Sequence, residues 1–99
     1  MHLNVRILGP AKEYIESLEG SEQGTIRADI ETMQSGDFNS VHTKHLRNRI
    51  RELIVGGHRI TYFQTDNKLY FVRGFRKKSA KTPRKEIEYA EKIYNVIIK

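Results

Sequence analysis

An α+β fold with elements in the order β-α-α-β-β-β-α follows from three features of this 99-residue chain. Apolar residues recur at helical spacing in three stretches and at a period of two in four others. The last three period-two stretches follow one another across tight-turn residues, which makes them an antiparallel meander. The length admits one ordinary domain, covering residues 1–99. Helices and sheet are expected to form one pair of packed layers that share a core.

The first strand rests on Leu3, Val5 and Ile7, which alternate with Asn4 and Arg6 until Gly9-Pro10 stops the pattern. Ala11, Tyr14, Ile15 and Leu18 then fall at helical spacing up to Gly20, and Ile26, Ile30 and Met33 form a second stripe behind Ser21 as N-cap. The few residues between the stripes predict an antiparallel helical hairpin. Asn39 to Asn48 is polar and basic and reads as a loop with a helical turn. Strands follow over Ile50–Val55, His58–Thr65 and Leu69–Phe75, joined by Gly56-Gly57 and by Asp66-Asn67, the latter suited to a type I′ turn. Thr82 as cap and Pro83 at the first helical position open a last helix, whose stripe Ile87, Ala90, Tyr94 and Ile97 is expected to pack on the sheet.

Composition narrows the chemistry. Without cysteine, disulfide scaffolds, thiolate metal sites and cysteine nucleophiles drop out. No apolar run approaches the roughly 18–20 residues of a membrane span, and Met1 to Leu8 has no signal-peptide core, so a cytoplasmic protein without a membrane partner is expected. The net charge of +6 is an average: residues up to Val41 carry 3 basic and 7 acidic side chains, and those from His42 onward carry 15 and 5. A −4 segment thus precedes a +10 segment. Within the latter, Arg73 to Lys85 holds seven cations and no acid, a block suited to a phosphate-bearing partner or to a solvated basic face.

Among groups that do chemistry, His42 and His45 have a spacing that two metal ligands on a helix can use, but no third ligand stands near them in sequence, so no metal is expected. Glu52, a lone carboxylate in a strand, reads as an ion-pair partner. The glycines match no phosphate loop or dinucleotide fingerprint, and no small-molecule cofactor is expected. What remains is Arg59, Thr61 and Phe63 on one face of a strand and Arg73 and Phe75 on one face of the next. Cations interleaved with rings suit single-stranded RNA, although such rings serve equally as core.

The runs I-R-E-L-I (50–54), G-H-R-I-T-Y-F (57–63), R-G-F-R-K-K-S-A-K-T-P (73–83) and E-I-E-Y-A (86–90) closely resemble the HigB-like branch of the RelE superfamily of bacterial and phage toxins. The resemblance implies a microbial-RNase-like fold. It also implies the toxin of a type II toxin–antitoxin pair, a metal-independent endoribonuclease that cuts mRNA on the translating ribosome by attack of the ribose 2′-hydroxyl on the adjacent phosphate. Carried over, Arg59 matches the central-strand Arg expected to hold the transition-state phosphate, and Lys77 and Lys78 match the paired lysines that end the last strand. Lys81 and Arg84, with Arg51, Arg73 and Arg76, are expected to grip RNA backbone.

Two positions depart from the pattern: Ile54 stands where the family often has Arg, and Arg73 where the branch often has His. They leave the general acid unassigned, and His58, beside Arg59, becomes a candidate proton carrier by neighbourhood. The implied partners are ribosome-bound mRNA and a helix-turn-helix, HigA-like antitoxin. The alternatives are a nucleic-acid-binding module without cleavage, or an inactive toxin on the same fold.

Overall fold

A computed structural model describes residues 2–99; Met1, where the alternating N-terminal segment begins, lies outside them. The elements are β1 (Asn4–Ile7), α1 (Gly9–Glu16), α2 (Gly20–Gln34), β2 (His42–Arg47), β3 (Ile50–Val55), β4 (His58–Thr65), β5 (Lys68–Arg76) and α3 (Arg84–Ile97). They build one five-stranded sheet in the order β1-β5-β4-β3-β2, with β1 parallel to β5 and every other pair antiparallel. The α+β class is as expected, with one strand added.

That strand is β2, which occupies the stretch expected to be a loop with a helical turn. Its sequence HTKHLR has one strong apolar residue, so no period of two announces it. Position explains this: β2 is an edge strand, largely exposed, and charged side chains are what edges carry to resist pairing with other chains. The turn into β3 uses Asn48 in the left-handed region, at φ 53°, which Asn tolerates better than most residues.

The single shared core is also corrected. The sheet is covered on both faces, and each face has its own cluster. Ala11, Ile15, Ile26, Ile30 and Met33 from α1 and α2 pack with Leu53, Ile60, Tyr62, Leu69 and Phe71. On the opposite face Ile50, Phe63 and Val72 pack with Ala90, Ile93 and Tyr94 of α3. Strand alternation is the cause, since β4 sends Ile60 and Tyr62 one way and Thr61 and Phe63 the other. Phe63 anchors α3 directly: Tyr70 stacks on it at 5.1 Å and Tyr94 meets it edge-on at 4.9 Å, contacts worth about 1 kcal/mol each beyond burial.

Two local details position the site. Between Thr61↔Arg73 and Tyr62↔Phe71 the β4–β5 ladder skips Val72, a bulge that turns both Val72 and Arg73 toward α3. At Gly74 a Cβ would collide with the Tyr14 ring, so glycine is what lets α1 lie this close to β5.

Three turn and cap expectations are adjusted. Asp66-Asn67 does form a two-residue loop, but only Asp66 has positive φ, at 55°, so it is not the type I′ turn. Helix α2 starts at Gly20 behind Glu19 rather than behind Ser21. Pro83, not Thr82, is the N-cap of α3, and the Thr82 hydroxyl is engaged elsewhere. No helix of the described residues is long and apolar enough to cross a membrane.

Candidate nucleic-acid interface

Helix α3 covers only part of its face of the sheet. Where it stops, a cleft of about 270 Å³ opens between strands β2–β5 and the loop 77–83. The strand register brings its floor together: His42 pairs with Ile54, Lys44 with Glu52, Ile54 with Arg59 and Arg59 with Phe75. Lys77, Lys78 and Lys81 come from the loop. Five cations therefore face one acid, Glu52.

The Arg59 side chain is 11% exposed and is fixed from behind. Its Nη1 donates to the carbonyls of Gly56 at 2.8 Å and His58 at 3.0 Å, both in or beside the β3–β4 turn. Its Nε stands 3.9 Å from Glu52 Oε2, an ion pair but too long for a hydrogen bond. The Nη2 group has no protein acceptor among the described residues, so the guanidinium keeps donors for a ligand. Glu52 is 2% exposed, and its other oxygen accepts from Thr82 Oγ1 at 2.8 Å, tying the basic loop to β3. The arrangement suits an anion of phosphate type: a fixed guanidinium, flexible ammonium groups around it and one interior carboxylate.

Of the nine residues singled out from sequence, the structure brings Arg59, Lys77, Lys78 and Lys81 together in this cleft. The other five lie elsewhere. His58 sits on the α1/α2 face, 4% exposed, between two helices. The Glu22 carboxylate accepts from Nε2 at 2.9 Å, and Nδ1 shares a hydrogen bond of 2.6 Å with the Tyr14 hydroxyl. His58 therefore has no route to Arg59 chemistry by neighbourhood: adjacent strand residues point to opposite faces.

Arg76 lines a separate hollow with His58 and Glu22. Hydrogen bonding from His58 chiefly holds the Glu22 carboxyl below its usual range, and burial chiefly pushes the Tyr14 hydroxyl up. Arg73 is used internally, donating to Glu86 at 2.8 Å and lying 3.9 Å over the Tyr89 ring. Arg84 is exposed on α3 and pairs with Glu88 one turn on, at 3.2 Å. Arg51 faces the α1/α2 side, where its Nε donates to the Tyr62 hydroxyl at 3.2 Å.

Sequence reasoning missed His42 and Lys44 in the cleft because their strand was read as loop; once β2 is a strand, alternation puts both on the cleft side. The same alternation sends His45 to the opposite face, so His42 and His45 do not converge as two ligands. Among the described residues no group of three or more His, Asp or Glu is placed to hold a metal ion.

The fold is similar to that of a chain in the crystal structure of the toxin–antitoxin complex RelBE2 from Mycobacterium tuberculosis. That likeness has a TM-score of 0.55 at 20% identity and covers 78% of this chain and all of that one. No curated protein matches the chain. A family model does, over residues 13–95, a span that takes in the second half of α1, all of α2, the four-stranded meander and most of α3. The chain thus belongs to the phage-derived Gp49-like protein family (DUF891).

Proposed function

We propose that this protein is the toxin of a type II toxin–antitoxin pair, an endoribonuclease of HigB-like type that cuts mRNA on the translating ribosome. The observation that carries the reading is Arg59, fixed by two backbone carbonyls at the centre of a cleft rimmed by Lys44, Lys77, Lys78 and Lys81. The likeness of the fold to a chain from a toxin–antitoxin complex adds support.

In this reading the scissile phosphate sits against Arg59, whose free N–H groups hold the charge that grows on the phosphoryl oxygens as the 2′-hydroxyl attacks in line. A guanidinium suits that task because it stays protonated throughout and presents a planar fork. Lys77 and Lys78 neutralise the phosphate and the leaving 5′-oxygen, and Lys81 grips flanking backbone. Within the cleft the side chains of the kind that serve as general acid or base are His42 and Glu52. A helix-turn-helix antitoxin of HigA type silences the toxin by covering the cleft.

The position of His58, turned away from Arg59, favours a second reading in which the cleft only binds nucleic acid. Expression in bacteria separates the two. Growth arrest by the parent, lost in Arg59→Ala and in Lys77→Ala, is expected of the toxin; equal arrest by all three proteins means the site is wrongly placed, and none at all favours the binding module.

A further inference from the structure

The face of the sheet opposite the Arg59 cleft carries a second cationic groove, of about 380 Å³, at the β2 edge. Its cations are Arg49 and Arg51, with His45 beside them, Phe38 and Tyr62 as aromatic walls and no acid. Arg51 is held in place through Nε on the Tyr62 hydroxyl at 3.2 Å and Nη2 near Thr43 Oγ1 at 3.4 Å, which leaves Nη1 for a ligand. His45 is fixed by donating Nε2–H to the Asn48 carbonyl at 2.7 Å. Arg49 is exposed and has no acidic partner among the described residues.

The missing acids are accounted for. From His42 onward the chain has five: Glu52 pairs with Arg59, Glu86 with Arg73, Glu88 with Arg84 and Glu91 with Arg47, while Asp66 lies in the β4–β5 turn. Four of those acids are thus spent on other cations, and among the described residues Lys44 on one face and Arg49 and Arg51 on the other have no acidic partner. Along β2 the side chains alternate, with His42 and Lys44 entering the cleft and Thr43 and His45 entering the groove. One edge strand thus separates two cationic surfaces, and among the described residues no further strand lies beyond it.

We propose that an RNA backbone passes around the β2 edge, held in the cleft by Lys44, Lys77 and Lys78 and in the groove by Arg49, Arg51 and His45. This rests on the reading of the cleft as an RNA site, and it adds a second phosphate-binding surface that anchors the same or an adjacent strand. An acidic polypeptide is the competing occupant. Adding a strand to this edge suits it poorly, because the β2–β3 register shifts between His45 and Arg47 and the edge is charged. Continuity with the Arg59 cleft across a single strand favours RNA, because one phosphodiester chain can contact both surfaces.

The test is the salt dependence with which a fluorescent single-stranded RNA of 20 nucleotides, longer than the protein's greatest extent of 36 Å, binds the Arg59→Ala protein, chosen to suppress cleavage. Each phosphate contact on single-stranded nucleic acid contributes about −0.7 to the slope of log K against log salt. Arg49→Ala with Arg51→Ala should flatten the slope by about 1.4, and Arg49→Glu, exposed and harmless to folding, should flatten it by at least about 0.7. Lys77→Ala with Lys78→Ala should flatten it independently by a similar amount.

An unchanged slope in the arginine variants beside a flattened one in the lysine variants overturns the groove and leaves the cleft reading intact. Competition by poly-glutamate as strong as that by unlabelled RNA assigns the groove to an acidic polypeptide and likewise overturns the proposal. Absence of any salt-dependent RNA binding by the protein overturns both.

Discussion

His58 and Arg59 are adjacent in β4, leave the sheet from opposite faces, and are joined again by a hydrogen bond of 3.0 Å from Arg59 Nη1 to the His58 carbonyl. The imidazole is held by Tyr14 of α1 and Glu22 of α2, while the backbone of the same residue holds the guanidinium in the cleft. Helices α1 and α2 on one face therefore brace the guanidinium that lines the cleft on the other.

Tyr14→Phe tests the brace. It removes the hydroxyl that satisfies buried Nδ1 and should cost about 1–3 kcal/mol, the penalty for orphaning a buried polar atom. The check is the urea midpoint of unfolding. Loss of cleavage beyond the loss of folded protein would mark the brace as positioning Arg59 as well.

Gly74→Ala acts on the same contact from the other side. The added Cβ meets the Tyr14 ring, so either α1 lifts from β5 or the ring rotates off His58. Overpacking of this kind costs about 1–3 kcal/mol, measurable as a lower midpoint. A variant as stable as the parent would mean that α1 docks less tightly on β5.

The pH dependence follows from carboxyls held low in the folded protein: Glu22, mainly by its hydrogen bond from His58, and Glu91, mainly by that from Arg47. A carboxyl with a lowered folded pKa contributes stability above the ordinary glutamate value of about 4.3 and loses it as pH falls through the folded value. Stability of the parent should therefore fall below about pH 4.3, and Glu22→Gln should show a shallower fall. Parallel acid profiles for the two proteins would contradict the His58–Glu22 pairing.

Glu52→Ala removes the carboxylate that joins β3 to the loop through Thr82 and faces Arg59. It should lower stability by about 1–3 kcal/mol, and trypsin should cut faster at Lys77, Lys78 and Lys81 once the loop is released. Glu52→Gln, which still accepts from Thr82, should restore the loop's resistance.

Much of this fold was legible because its cores sit on strong patterns: the stripe Ile26, Ile30, Met33 and the alternation of Ile60 and Tyr62 against Thr61 and Phe63 both ended where expected. Strand β2 was not legible, because an edge strand buries little and its residues answer to solvent rather than to a core. The candidate site was half legible for the same reason. Arg59, Lys77, Lys78 and Lys81 follow from strand position and motif, whereas His42 and Lys44 depend on the missed strand. The bulge at Val72 and the packing of α3 decide that Arg73 is spent on Glu86, a pairing between two elements that leaves no mark in local sequence, whereas Arg84 and Glu88 are an i, i+4 pair within α3.

The central claim is that the Arg59 cleft cleaves RNA, and mapping mRNA 5′ ends in a translating extract tests it most directly. With the parent protein, new 5′ ends should appear within translated frames. With Arg59→Ala they should fall by about 100-fold, the loss that follows removal of one preorganised donor to a transition-state oxyanion. New ends that persist undiminished in Arg59→Ala, or no new ends with the parent, would contradict the claim.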